Sequence, residues 1–202
     1  DRFAMYSIGE WDYRRGPDTR RLHRISGYGE QTADFLMRTV KRHVERTYRA
    51  SRDRERIAVA GSSMGGYMAL YVGARYQRQV SKVMAFSPVA MDFPMRGYLL
   101  RDVLVRAGAH HQQRVYLDMG DREKLEFCGP QELVDHLEEL RLTMTEAGHT
   151  QLLARVVPGD RHDERAWGRR GRPCGPPPTA APKPERGPSV RGRLPRPGRP
   201  RR

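Results

Sequence analysis

The sequence predicts an α/β fold, a mostly parallel sheet with helices on both faces, and three observations carry that expectation. Four short runs, Ile57 to Ala60, Val83 to Phe86, Val115 to Gly120 and Leu152 to Val157, read as strands, the first two with the apolar composition of buried ones. Segments with helical spacing separate them, and such alternation marks parallel strands joined by crossover helices. The third observation is a piece of punctuation. Gly61-Ser62-Ser63-Met64-Gly65 stands between the first run and the helical segment after it, a match to G-x-S-x-G in its required strand-to-helix setting.

Taken in order, Asp1 to Gly29 mixes arginine with Phe3, Tyr6, Trp11 and Tyr13 around the turn signal Gly16-Pro17-Asp18, and it reads as loop with a short extended piece. From Glu30, the residues Phe35, Leu36, Thr39, Val40, His43 and Val44 recur at three- and four-residue intervals, predicting an amphipathic helix that ends near Tyr48. A polar connection, Arg49 to Glu55, leads to the first strand. A helix over 65–77 follows it, then the strand Val83 to Phe86, stopped by Ser87-Pro88. Tyr98 to Ala107 is expected to be helical and Gly108 to end it. After the strand Val115 to Gly120, Pro130 to Ala147 places Leu133, Leu137, Leu140 and Met144 on one helical face, with Gly148 as its cap. The last strand, Leu152 to Val157, runs into the turn Pro158-Gly159, which delivers the chain to His162.

Composition divides the chain of 202 residues at Trp167. From Gly168 to Arg202 there are eleven Lys or Arg against the single acid Glu185, and ten of the fifteen prolines, so this segment holds most of the net charge of +14. A stretch with so few large apolar residues cannot offset its ordering entropy by burial, and the expectation is a folded domain over 1–167 with a disordered tail over 168–202. The tail lacks the interleaved aromatics on which bases stack, which argues against specific nucleic-acid recognition. Cys128 and Cys174 form neither a disulfide framework nor a metal spacing. No run of eighteen apolar residues is present to span a membrane. A cytoplasmic location and a small-molecule partner are expected. The sequence does not specify the oligomeric state.

The chemistry-bearing residues fall at the carboxyl ends of the predicted strands, where open α/β sheets bind their ligands. A serine alcohol is a poor nucleophile until its oxygen is held clear of the backbone and against a base. The predicted turn at Ser63 does the first, with Gly61 and Gly65 expected to let strand and helix approach. Of seven histidines, only His162 follows the last strand in a loop, and it is the candidate base. His23, His43 and His136 have the default reading of solvated or partly buried side chains, and His110-His111 is a pair in a turn. The carboxylate that would orient His162 can come from Asp118, Asp121 or Glu123. Asp160, His162 and Asp163 lack diagnostic metal-ligand spacing, so no metal site is expected.

The segments Gly61-Ser62-Ser63-Met64-Gly65-Gly66, Val115 to Gly120 with Asp121-Arg122-Glu123, and Gly159 to Trp167 together resemble the putative-esterase family of α/β-hydrolases. That group contains esterase D, enterochelin esterase, feruloyl esterases and the antigen 85 acyltransferases. The resemblance covers about residues 25 to 167. It implies an α/β-hydrolase domain and a serine esterase with Ser63 as nucleophile, His162 as base and Glu123 as acid, Asp121 being the reserve. It also implies that no cofactor is needed and that the Met64 N–H is one oxyanion donor. Members of the family carry further strands, and a loop with a second donor, ahead of the part seen here. Losing one such donor costs on the order of 2.7 to 4 kcal/mol of transition-state stabilisation. The expected function is hydrolysis of a carboxylic ester through an acyl-enzyme. The alternatives are acyl transfer by the same residues, or a non-catalytic esterase-like scaffold with a basic tail.

Overall fold

A computed structural model of the chain describes residues 2–14, 22–89, 100–109, 113–125 and 128–171. It begins with helix α1 (Arg2–Tyr6) and two strands, β1 (Glu10–Arg14) and β2 (Leu22–Ser26), paired antiparallel from Glu10 opposite Ser26 to Arg14 opposite Leu22. The sequence expectation for this stretch, loop with a short extended piece, understates it: β1 alternates polar and apolar residues from Glu10 to Arg14, whereas β2, Leu22-His23-Arg24-Ile25-Ser26, does not. The turn signal Gly16-Pro17-Asp18 and the pair His110-His111 lie outside the described residues, as does everything from Arg172 onward, including the expected tail and Cys174.

The next helical stretch comprises α2 (Gly29–Asp34), a wider π-helical turn (Phe35–Val40) and α3 (Lys41–Thr47). Its existence and ends match the periodicity, but its buried face does not. Gly29, Ala33 and Met37, at four-residue intervals, are the buried positions, whereas Phe35 is 58% exposed, Leu36 39% and Val44 36%. The small side chains are the ones that let α2 approach α1 and α4, and the larger apolar stripe faces outward. Tyr76 donates a hydrogen bond to Asp34 and Arg75 pairs with the same carboxylate, so α2 is also fastened to α4 by charge.

Four strands form the parallel sheet: β3 (Ala58–Ser62), β4 (Lys82–Phe86), β5 (Arg114–Gly120) and β6 (Gln151–Val157), in that spatial order. Because the order advances in one direction, right-handed crossovers must place all three connecting helices on one face. Helices α4 (Met64–Arg75), α5 (Leu100–Ala107) and α6 (Pro130–Glu146) pack side by side there. Every residue of α4 from Gly66 to Ala74 is buried, which accounts for a helix with no polar face. The predicted stripe of α6 is the observed one, with Leu133, Leu137, Leu140 and Met144 all 4% exposed or less. Burying side chains of this size contributes about 1.5–3 kcal/mol each. Gln113 enters the core with its amide donating to the carbonyls of Gly73 and Val80, which closes the α4-to-β4 connection.

On the opposite face Ser62, Phe86, Asp118 and Arg155 stand in register at the carboxyl end, and helix α7 (Glu164–Arg170) reaches that face through Arg170 and Asp118. Away from α7, Ala58, Ala60, Leu153 and Arg155 are exposed. The compositional break at Trp167 thus falls inside a helix that continues to Arg170. No described helix is long and apolar enough to cross a membrane.

Helix α4 packs tightly on β4 at Gly73, where an added Cβ would lie 2.5 Å from Cγ2 of Val83. Gly73→Ala is expected to lower stability by about 1–3 kcal/mol through overpacking, read as a fall in the urea midpoint at unchanged m-value.

Candidate active site

Strand β3 and helix α4 meet at Ser63, whose backbone lies at φ 55°, ψ −123°. Few non-glycine residues tolerate that region, and the surroundings hold Ser63 in it. The Ser63 N–H donates to the Phe86 carbonyl at 2.9 Å, and its own carbonyl accepts from Tyr67 and Val89. Gly61 makes the bend possible, since a Cβ there would sit 2.1 Å from the Gly65 carbonyl oxygen. Gly65 differs from the sequence expectation, because a Cβ on it would meet nothing within 4 Å. The second close approach belongs to Gly66, where a Cβ would lie 3.1 Å from the Phe86 carbonyl oxygen. Although Ser63 precedes the first turn of α4, its side chain does not cap the helix. Its Oγ lies 2.8 Å from Nε2 of His162.

His162 follows β6, as expected, and its Nδ1 lies 2.7 Å from Oε2 of Glu123. An ionised carboxylate only accepts, so Nδ1 carries the proton and Nε2 of the neutral ring is left to accept from the Ser63 hydroxyl. Trp167 packs edge-on against the imidazole at 4.9 Å. The structure therefore brings Ser63, His162 and Glu123 together. Met64 is the first residue of α4, so its N–H is one of the orphan donors of a helix start, next to Ser63.

The competing carboxylates have other work. Asp121 accepts from the Gly159 N–H at 2.7 Å, joining the loop after β5 to the loop after β6. Asp163 caps α7 by accepting from the Ala166 N–H. Asp160 pairs with Arg169 and Arg170. Asp118 is fully buried and accepts from the Tyr116 hydroxyl, the Ser87 N–H and Arg170.

Glu123 is fully buried as well, and its two oxygens are used differently. Oε1 takes hydrogen bonds from the Gly120 N–H at 2.6 Å, the Ser87 hydroxyl at 2.6 Å and Nη2 of Arg170 at 3.0 Å. Oε2 faces His162. Burial alone would raise the Glu123 carboxyl, but His162, Ser87, Gly120 and Arg170 outweigh it and hold the group below the usual carboxylate range. The stabilisation this lends the fold is present above that range and is lost as pH falls through the lowered value. Burial pushes Asp118 the other way, upward, against the opposing pull of Tyr116, Arg170 and Ser87. Burial would also lower the Arg170 guanidinium, yet Asp160, Asp118 and Glu123 together raise it above its ordinary value, so it is a permanent cation.

Two residues of this site escape sequence reasoning. Ser87, at φ 45°, reads in the sequence only as a strand stop, and Arg170 reads as part of a basic run. Ser87 accepts from Trp167 Nε1 at 2.8 Å and from Arg170 Nη1 at 2.9 Å while donating to Glu123.

A family model described as Putative esterase matches residues 5–170. No curated protein matches the chain. Among solved structures, a ferulic acid esterase from the anaerobic fungus Anaeromyces mucronatus is 23% identical over 70% of this chain and 50% of its own, with a TM-score of 0.56. A siderophore hydrolase from Aspergillus nidulans is 19% identical over 80% of this chain and 61% of its own, with a TM-score of 0.61. An S-formylglutathione hydrolase from Staphylococcus aureus is 19% identical over 71% and 58%, at 0.54. These likenesses establish the α/β-hydrolase fold, and the chain spans about half the length of the first of these proteins.

Gly61→Ala is expected to force the Gly65 carbonyl away and open the turn. At least a tenfold slower reaction of Ser63 with a fluorophosphonate probe is expected, on the order of the 1.4 kcal/mol that one decade represents.

Proposed function

We propose that this chain, which belongs to the Putative esterase family, hydrolyses a carboxylic ester through a serine-bound acyl intermediate. The single observation that carries the reading is the continuous relay Ser63 Oγ, His162 Nε2, His162 Nδ1, Glu123 Oε2, with both contacts at hydrogen-bond length. Proton transfer from the alcohol to a positioned base is what turns a weak nucleophile into a competent one.

In the acylation step Ser63 Oγ bonds to the ester carbonyl carbon while its proton passes to Nε2 of His162. The carbonyl π electrons move to oxygen, and the Met64 N–H at the amino end of α4 donates to the oxyanion, favoured by the helix dipole. Collapse of the tetrahedral intermediate breaks the bond to the leaving alkoxide, which takes the proton from Nε2. Water then repeats the sequence on the acyl-serine, with Nε2 accepting its proton and returning it to Ser63, and the acid is released. Glu123 keeps its charge throughout, holding Nδ1–H and stabilising the imidazolium.

A fluorophosphonate probe tests the reading. The wild-type chain should be labelled and Ser63→Ala should not. Glu123→Gln should retain the fold and label about 1,000- to 10,000-fold more slowly, because the amide can hold His162 in the wrong tautomer. Absence of labelling in folded wild-type protein overturns the proposal and returns the chain to a non-catalytic scaffold.

A further inference from the structure

The relay uses one oxygen of Glu123, and the other oxygen faces a buried assembly that the proposed reaction does not engage. Its centre is Arg170, 7% exposed overall and 1% in its side chain. The guanidinium spends each of its nitrogens on a named partner. Nε donates to Asp160 Oδ2 at 2.8 Å, Nη1 to Asp118 Oδ1 and to Ser87 Oγ at 2.9 Å, and Nη2 to Glu123 Oε1 at 3.0 Å. Those partners come from the loop after β6, from β5, from the residue after β4 and from the loop after β5. One side chain thus ties together three of the four strand ends that build the site.

We infer that Arg170 is a positioning residue for the ester-cleaving relay: its guanidinium keeps Glu123 ionised and aimed at His162 beside the second buried carboxylate, Asp118. The inference rests on the hydrolase reading above. Two considerations carry it. The first is electrostatic. Asp118 and Glu123 are both fully buried and both accept from Ser87 and from Arg170, and two carboxylates sharing one site cannot both stay ionised without a cation between them. The groups facing the pair are Tyr116 on β5, Ser87 after β4, the Gly120 N–H, His162 and Asp160 after β6, and Trp167 and Arg170 on α7, with Arg155 stacked over the Tyr116 ring. Among the described residues Arg170 is the one permanent cation in hydrogen-bond contact with either carboxylate, and Arg169 meets Asp160 instead.

The second consideration is geometric. A planar guanidinium donates in fixed directions, so binding Asp118, Ser87, Asp160 and Glu123 at once defines where Oε1 must lie. With Oε1 fixed by Arg170, Ser87 and Gly120, Oε2 has one orientation, and it is the one that meets Nδ1 of His162. A lysine could replace the charge but not this fork.

The test compares the pH dependence of fluorophosphonate labelling, and of kcat and KM for a simple aryl ester, in wild type, Arg170→Met, Arg170→Lys and Arg169→Met. Removing the cation lets the carboxylate pair hold a proton at higher pH, so the acid limb of Arg170→Met should move up by about one pH unit or more. Labelling should be about tenfold slower at the acid end, with the deficit shrinking as pH rises and with KM little changed. Arg170→Lys should restore most of the acid limb while kcat stays several-fold low. Arg169→Met, whose side chain is 61% exposed, should leave the profile in place. If Arg170→Met does not fold by circular dichroism, Arg170→Lys decides: a low kcat with wild-type KM supports positioning, and wild-type kcat overturns it. Unlabelled wild-type protein overturns the hydrolase reading and this inference together. Labelled wild type with an unshifted acid limb in folded Arg170→Met overturns this inference alone.

Discussion

At the bend between β3 and α4 the backbone of Gly61 lies so close to the Gly65 carbonyl that only hydrogen fits between them. That one approach sets the geometry of the whole site. It turns the chain through a positive φ at Ser63, so the alcohol leaves the strand instead of lying along it. It brings the Ser63 N–H to the Phe86 carbonyl, extending the β3 to β4 pairing by one residue past the ladder. Ser87, next along β4, turns through a positive φ in its own right and pairs its backbone with Asp118 on β5. Successive strand ends are thus locked to each other in order across the sheet, and each lock carries a polar side chain towards the same place.

The polar groups so gathered would be unfavourable singly. A carboxylate without exposure costs several kcal/mol in desolvation, and two of them stand side by side here. The fold offsets this by giving each carboxylate a full set of donors rather than a single ion pair. Glu123 has three donors on one oxygen and the imidazole on the other. Asp118 has Tyr116, Ser87 and Arg170, and Tyr116 responds, its hydroxyl raised above the ordinary phenol value by burial and by the Asp118 charge. A fully satisfied network of this kind contributes little net stability but allows few arrangements, and direction is what a proton relay requires.

Much of this arrangement is legible in the sequence, and the exceptions have physical causes. Ser63 and His162 are marked by local patterns, a tight turn that requires glycine and a loop position after the last strand. The four strands and the buried stripe of α6 follow from apolar runs and helical spacing. Between Asp121 and Glu123 only the family resemblance discriminates at the level of sequence. The fold separates the two because Asp121 is committed to the Gly159 N–H and Glu123 reaches His162. The face of α2 and α3 is misread when hydrophobicity is weighed by side-chain size. The buried positions are instead Gly29, held against the Ser7 backbone and Ile8, with Ala33 and Met37, and the π-helical turn that contains Met37 shifts the phase. Composition hides Arg170, since a buried arginine and a solvated one look alike in a run of basic residues. Ser87 is hidden because its role comes from three segments that meet only on folding.

The relay and the network that orients it are contained within residues 61 to 170, and they draw on the carboxyl ends of the four strands with α7 laid over them. Their links run among the ends of β3 to β6 and α7, the Ser63–His162 contact joining the first and last strands of that order, while Ala58, Ala60 and Leu153 stand on an exposed part of the second sheet face. A proton path needs alignment over a few ångströms, whereas selection of an acyl or alcohol group needs a shaped surface over a much larger area. The first involves residues between Ser63 and Arg170, while the second draws on whatever surrounds the site. In this chain, the residues that would move the proton are therefore separable from those that would choose the ester.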